Sequence, residues 1–128
     1  DYNMLRSSAG WSQICPEQAE TGLKNSSFLI VAKDGNKTVG MARLVSDGGY
    51  IAYVADVLVL PEYQRKKIGT EMMSRLLSYI KSNMKEGYKV NLVLISAKGK
   101  ETFYEKFGFS KIPDDRFGYG MAQFIMPN

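Results

Sequence analysis

The sequence predicts a mixed α/β fold built on one twisted sheet, antiparallel where it begins and parallel at its centre. Three observations predict it. Tyr50 to Leu60 is an almost unbroken apolar run, rich in Val, Ile, Tyr and Leu, suited to a buried strand. Ile68, Met72, Leu76, Ile80 and Met84 then recur every fourth residue, with Met73 and Leu77 beside them, which is the stripe of an amphipathic helix. VNLVLIS, within Lys89 to Ala97, is a second buried-type run, so strand, helix and strand form a βαβ unit with a right-handed crossover.

Taken in order, Tyr2 to Trp11 and Pro16 to Lys24 read as two short helices or a helix and a turn. Pro16 suits a first helical position, and Glu17 and Glu20 follow in the favourable first turn. Phe28 to Lys33 and Thr38 to Val45 are β-branched runs joined by a hairpin-type turn, DGNK. Asp47-Gly48-Gly49 leads into the third strand, which completes an antiparallel meander. Pro61 cannot donate to a ladder and disfavours a helical Leu60, so that strand stops there. Gly99 to Phe107 reads as a further short helix stopped by Gly108. Phe109 to Ile112 and Met121 to Met126 are expected as closing strands, with PDDRFGYG as the loop between them.

With 128 residues, 45% hydrophobic and 23% charged, the chain is expected to be a single domain over 1–128 with a full core. The absence of histidine excludes Ser-His and Cys-His catalytic pairs and the commoner zinc sites. Cys15 is alone, which excludes an intrachain disulfide and points to a reducing compartment, so a cytoplasmic location is expected. No apolar run approaches a membrane span, and Asp56 interrupts the longest. The net charge of +4 lacks the broad basic face and reading elements of a nucleic-acid binder.

Between the central strand and its helix lies PEYQRKKIGT. A loop entering a helix presents unpaired N–H groups at the positive end of the helix dipole. Arg65, Lys66 and Lys67 add cations to the same place, and Gly69 allows a close backbone approach or an unusual φ. A phosphate or pyrophosphate site and a solvated basic turn are both consistent with these residues alone.

VLVLPEYQRKKIGT, the amphipathic helix and the later FYEKFGF together resemble the acetyl-CoA-binding core of the GCN5-related N-acetyltransferases, over about Phe28 to Met126. That family's loop reads Gln or Arg, two residues, Gly, one residue, Gly or Ala, and Gln64 to Gly69 matches it except that Lys67 stands at the first glycine. A positive φ there would strain Lys67 and weaken donor binding, whereas a negative φ would let its ammonium assist. The resemblance implies strands that splay at their C-terminal ends, helices on both faces of the sheet, and a first strand absent here or reduced to Asp1 to Asn3, with chain missing before Asp1.

It also implies a donor site. The pantetheine arm would lie along Val57, Leu58 and Val59, and the pyrophosphate on Gln64, Arg65, Lys66, Lys67, Ile68, Gly69 and Thr70. A backbone N–H near Leu58 would polarise the thioester carbonyl. Tyr104 matches the family tyrosine that protonates or hydrogen-bonds the departing sulfur, against a plain core role. Asp56, charged in an apolar strand, would either take the amine's proton or serve as a buried partner to a neighbouring group. Phe28, Tyr50, Tyr53 and Tyr119 are expected to line the acceptor pocket. The resulting expectation is direct acetyl transfer from acetyl-CoA, without metal, to the primary amine of a small molecule, by an enzyme whose exposed sheet edges suit a homodimer. A non-catalytic acetyl-CoA-binding module and a protein or peptide N-acetyltransferase are the alternatives.

Overall fold

A computed structural model describes residues 1–127. Its backbone divides into two compact units, Asp1–Ile95 and a second beginning at Ser96. The first carries α1 (Tyr2–Ser8), α2 (Pro16–Lys24), β1 (Phe28–Asp34), β2 (Lys37–Ser46), β3 (Ile51–Val59), a 3₁₀ turn (Pro61–Tyr63), α3 (Ile68–Ser82) and β4 (Asn91–Leu94). The second carries α4 (Glu101–Glu105). Asp1 to Asn3 is therefore not a reduced strand. Asp1 caps α1 in sequence, and its carboxylate accepts a hydrogen bond from the Thr38 hydroxyl at 3.1 Å.

The strands lie in the order β1-β2-β3-β4, with the first two pairings antiparallel and β3 to β4 parallel. The mixed sheet and the βαβ unit are thus as the hydrophobic pattern predicts. Residues directly opposite in a ladder share a face of the sheet. Phe28, Leu44 and Val54 accordingly point one way, where Phe28 stacks on Tyr79 of α3 with ring centroids 4.7 Å apart. Met72, Met73 and Leu76 of α3 are buried, each such side chain contributing about 2 kcal/mol. On the other face, Leu5 of α1 joins Val39, Met41, Leu58 and Leu60, flanked by Trp11 and Leu23. Helices therefore cover both faces.

A bulge interrupts the β2–β3 ladder. Arg43 pairs with Asp56 and Leu44 with Val54, leaving Ala55 as the extra residue. The bulge lets Asp56 and Leu58 face α1 while Val54 and Ala52 face α3.

The closing strands expected at Phe109 to Ile112 and Met121 to Met126 do not form. In the intervening loop the Asp114 carboxylate accepts from the N–H groups of Arg116 and Phe117, and the Asp114 N–H donates to the Phe117 carbonyl. That local turn satisfies the backbone without a ladder. Phe124 and Ile125 have strand propensity, which acts only where a partner edge is hydrogen-bonded. β4 is consequently the edge of the sheet, and Val93 and Ile95, expected to be buried, are exposed.

Candidate active site

β3 and β4 pair only from Ile51–Asn91 to Val54–Leu94. From Ala55 to Val59, β3 continues with β2 on one side and no strand on the other. The parting begins at the residue that forms the bulge. Beyond it the Leu60 N–H donates to the Val39 carbonyl at 2.9 Å. Backbone groups alternate sides along a strand, so those of Leu58 face β2 as well, whereas those of Val57 and Val59 face the free edge. The Leu58 side chain is core and its amide belongs to the ladder. The available amides are those of its two neighbours.

At the end of this edge Gln64 folds back, its Nε2 donating to the Val59 carbonyl at 3.0 Å. Arg65 and Lys67 both adopt φ of 65°, and Lys67, at the N-cap of α3, has ψ of 19°. Left-handed residues thus flank Lys66, and left-handed turn positions are a common setting for anion-binding backbone concavities. The first hydrogen bond of α3 runs from the Glu71 N–H to the Lys67 carbonyl, and no side chain caps the helix. The amides of Ile68, Gly69 and Thr70 therefore lack helical partners. Of the two uses of Gly69 that the sequence allows, a close backbone approach and an unusual φ, the second is not taken: Gly69 is helical, and the positive φ values are those of Arg65 and Lys67. Arg65, Lys66 and Lys67 are exposed, and the Lys66 ammonium lies 5.3 Å from the Tyr63 ring. Tyr63 is itself fixed by donating to Asp34 at 2.7 Å.

Asp56 is buried. Its Oδ2 accepts from Arg43 Nε at 2.8 Å and from the Tyr2 hydroxyl at 2.9 Å, and its Oδ1 lies 3.8 Å from Arg6. Of the two readings of Asp56, the geometry supports the buried partner. The Tyr2 hydroxyl is raised above the ordinary phenol value, first by burial and then by Asp56. Arg43 also donates to the Gly22 carbonyl and the Ser26 hydroxyl, tying α2 into the cluster. Sequence reasoning missed Arg43, Arg6 and Tyr2. The signal was present: Asp56 and Arg43 are isolated charges in otherwise apolar stretches of adjacent strands.

Tyr104 lies on α4, half-buried between Phe103 and Phe109 in edge-to-face contacts at 5.0 and 6.1 Å. Burial raises its hydroxyl pKa, so the phenol keeps its proton through the neutral range. Within the first unit, Phe28 and Tyr53 lie on opposite faces of the sheet. Tyr53 pairs with Val45 and Val93 on the sheet face opposite Phe28. Tyr50 is exposed beside that strand, and Tyr119 is exposed in the second unit. Alternation about the bulge separates Phe28 from Tyr53.

A strand edge left free by the fork, followed by a cation-rich, uncapped helix start, suits a ligand with an extended arm and an anionic group. Comparison with known proteins identifies the family. The profile of the acetyltransferase (GNAT) domain matches residues 6–126. An uncharacterised N-acetyltransferase, ycf52, of Pyropia yezoensis is 32% identical over 118 residues, covering 89% of this chain and 66% of its own length. A histone acetyltransferase of Glycine max, TAP1, is 29% identical, covering 89% of this chain and 52% of its own. A probable acetyltransferase of unknown function from Staphylococcus aureus superposes with a TM-score of 0.84 at 32% identity, over 96% of this chain and 90% of its own. The chain belongs to the GNAT acetyltransferase family. It spans 66% of the length of the ycf52 relatives of Pyropia yezoensis and Porphyra purpurea.

Proposed function

We propose that this chain transfers the acetyl group of acetyl-CoA directly to a primary amine, preferably on a small molecule. One observation carries the donor reading: after one 3₁₀ turn, Pro61–Tyr63, Gln64 folds back onto the Val59 carbonyl, so the free Val57–Val59 edge ends beside the uncapped loop at Gln64–Thr70. An extended amide-bearing arm hydrogen-bonds to such an edge as an added strand, and a pyrophosphate suits the uncapped amides with Arg65 and Lys66. In this reading the Val57 or Val59 amide stabilises the oxyanion formed when the amine nitrogen attacks the thioester carbon. The carbon–sulfur bond breaks, Tyr104 donates a hydrogen bond to the departing thiolate, and the proton released by the amine nitrogen passes through solvent to that sulfur, which leaves as the free thiol. Asp56, engaged by two guanidinium groups and a phenol, is set aside as the base. A small acceptor fits a family domain without an added peptide-binding insertion; protein amines are the alternative, as in the relative named as a histone acetyltransferase.

A second reading, a module that binds acetyl-CoA without transfer, draws on the left-handed Lys67. Calorimetric titration with acetyl-CoA, followed by thiol release against a panel of small amines and peptides, separates them. Binding with thiol release is expected. Binding without release to any acceptor favours the module, and no binding overturns the donor reading.

A further inference from the structure

We infer that the Asp56–Arg43 ion pair is a positioning lock for the donor edge, a role distinct from proton transfer. It rests on the donor reading proposed above. Three events coincide within three residues of β3: the ladder to β4 ends at Val54, Ala55 bulges, and Asp56 begins the ion-pair cluster. Arg43 is the direct cross-strand partner of Asp56 on the far side of that bulge. A bulge left to itself can migrate along a ladder, and each one-residue step exchanges the two edges of the strand. With the bulge moved past Val57 or Val59, one of those amides would turn toward β2 and the free edge would lose its repeat.

The lock resists this because every side chain around it is specific in direction. The Asp56 carboxylate meets Arg43 from β2 and both Tyr2 and Arg6 from α1. Arg6 is held in turn by donating to the Ser12 carbonyl at 2.7 Å and by lying 5.3 Å from the Trp11 ring. Moving Asp56 by one residue would leave a buried carboxylate without its partners and take the counter-charge from the Arg43 and Arg6 guanidinium groups, a severe cost. An apolar pair at the same positions would fill the space without selecting one register. Asp56 and Arg43 thus act through the Val57 and Val59 backbone and touch no reacting atom.

Asp56→Asn tests this, with Tyr2→Phe as a milder variant that loosens only the tether to α1. Two readouts are taken on the whole chain. In hydrogen exchange without ligand, the Leu58 and Leu60 amides, which face β2, are expected to exchange at least about tenfold faster in Asp56→Asn, with α3 amides such as Leu76 unchanged. In titrations, acetyl-CoA is expected to bind about tenfold more weakly, while adenosine 3′,5′-bisphosphate, which lacks the pantetheine arm, shifts by less than about twofold. Tyr2→Phe should move both readouts the same way by less. Equal weakening of both ligands, or faster exchange throughout α3, would mean general destabilisation and overturn the lock. Unchanged acetyl-CoA binding with lost turnover would overturn it in favour of proton transfer by Asp56. Failure of the unaltered protein to bind acetyl-CoA would instead overturn the donor reading.

Discussion

At the scale of single residues, the loop residue with the clearest conflict is Lys67. A side chain at φ 65° is held against its own backbone preference, at a cost of about 1 kcal/mol. Lys67→Gly should therefore raise the thermal midpoint by about 4 °C, measured by calorimetry, and a lowered midpoint would show that the left-handed turn carries no strain. Tyr104 carries a pH prediction. Its folded pKa lies above the unfolded value of about 10, so its contribution is full below that value and lost as pH rises through the folded one. Melting curves collected through the alkaline range should fall less steeply for Tyr104→Phe than for the parent. Asp56→Ala leaves Arg43 and Arg6 without their carboxylate, and chemical denaturation should register a loss of about 3 kcal/mol. The sequence singled out all three positions, Asp56 as a charge in an apolar strand, Lys67 as a departure from the family's loop and Tyr104 as a match to its later motif. It did not reveal that Arg65 shares the left-handed conformation, since φ leaves no mark on residue type when glycine is not used.

Among elements, β3 and α3 were legible because their periods differ so clearly and Pro61 divides them. What periodicity could not show was the bulge, which reverses the relation between residue parity and face. That single extra residue explains why Leu58 shares the α1 face with Asp56, and why Phe28 and Tyr53 part company. The tight spacing of β2 against β3 makes a further prediction. A Cβ added at Gly40 would sit 3.0 Å from the Leu58 carbonyl and 3.4 Å from Met72 Cε. The methionine can move, but the carbonyl is held in the sheet beside the donor edge. Gly40→Ala should thus destabilise by about 1–2 kcal/mol in denaturant melts, despite Ala being the better strand residue elsewhere. A neutral result would show that β2 and β3 have room to slide.

For the whole molecule, the hydrophobic pattern revealed the first unit better than the second. The strands and helices of Asp1–Ile95 follow from runs that bury one another, whereas among the described residues after Ser96 there is one short helix and otherwise turns and irregular chain. The net charge of +4 makes a prediction at this scale. Its one dense exposed run, Arg65 to Lys67, coincides with the uncapped amides at the start of α3. A ligand carrying several phosphate charges should therefore bind through a term that solvent ions screen, because the cations are exposed and their field decays over about 10 Å at moderate salt. Acetyl-CoA affinity should fall by about tenfold between low and high salt. Removing the cations in Arg65→Ala and Lys66→Ala should both weaken binding at low salt and flatten that dependence. The pantetheine contribution, made by backbone amides on a fixed strand edge, should persist at high salt. Salt dependence that survives the loss of both cations would place the phosphate groups elsewhere on the chain.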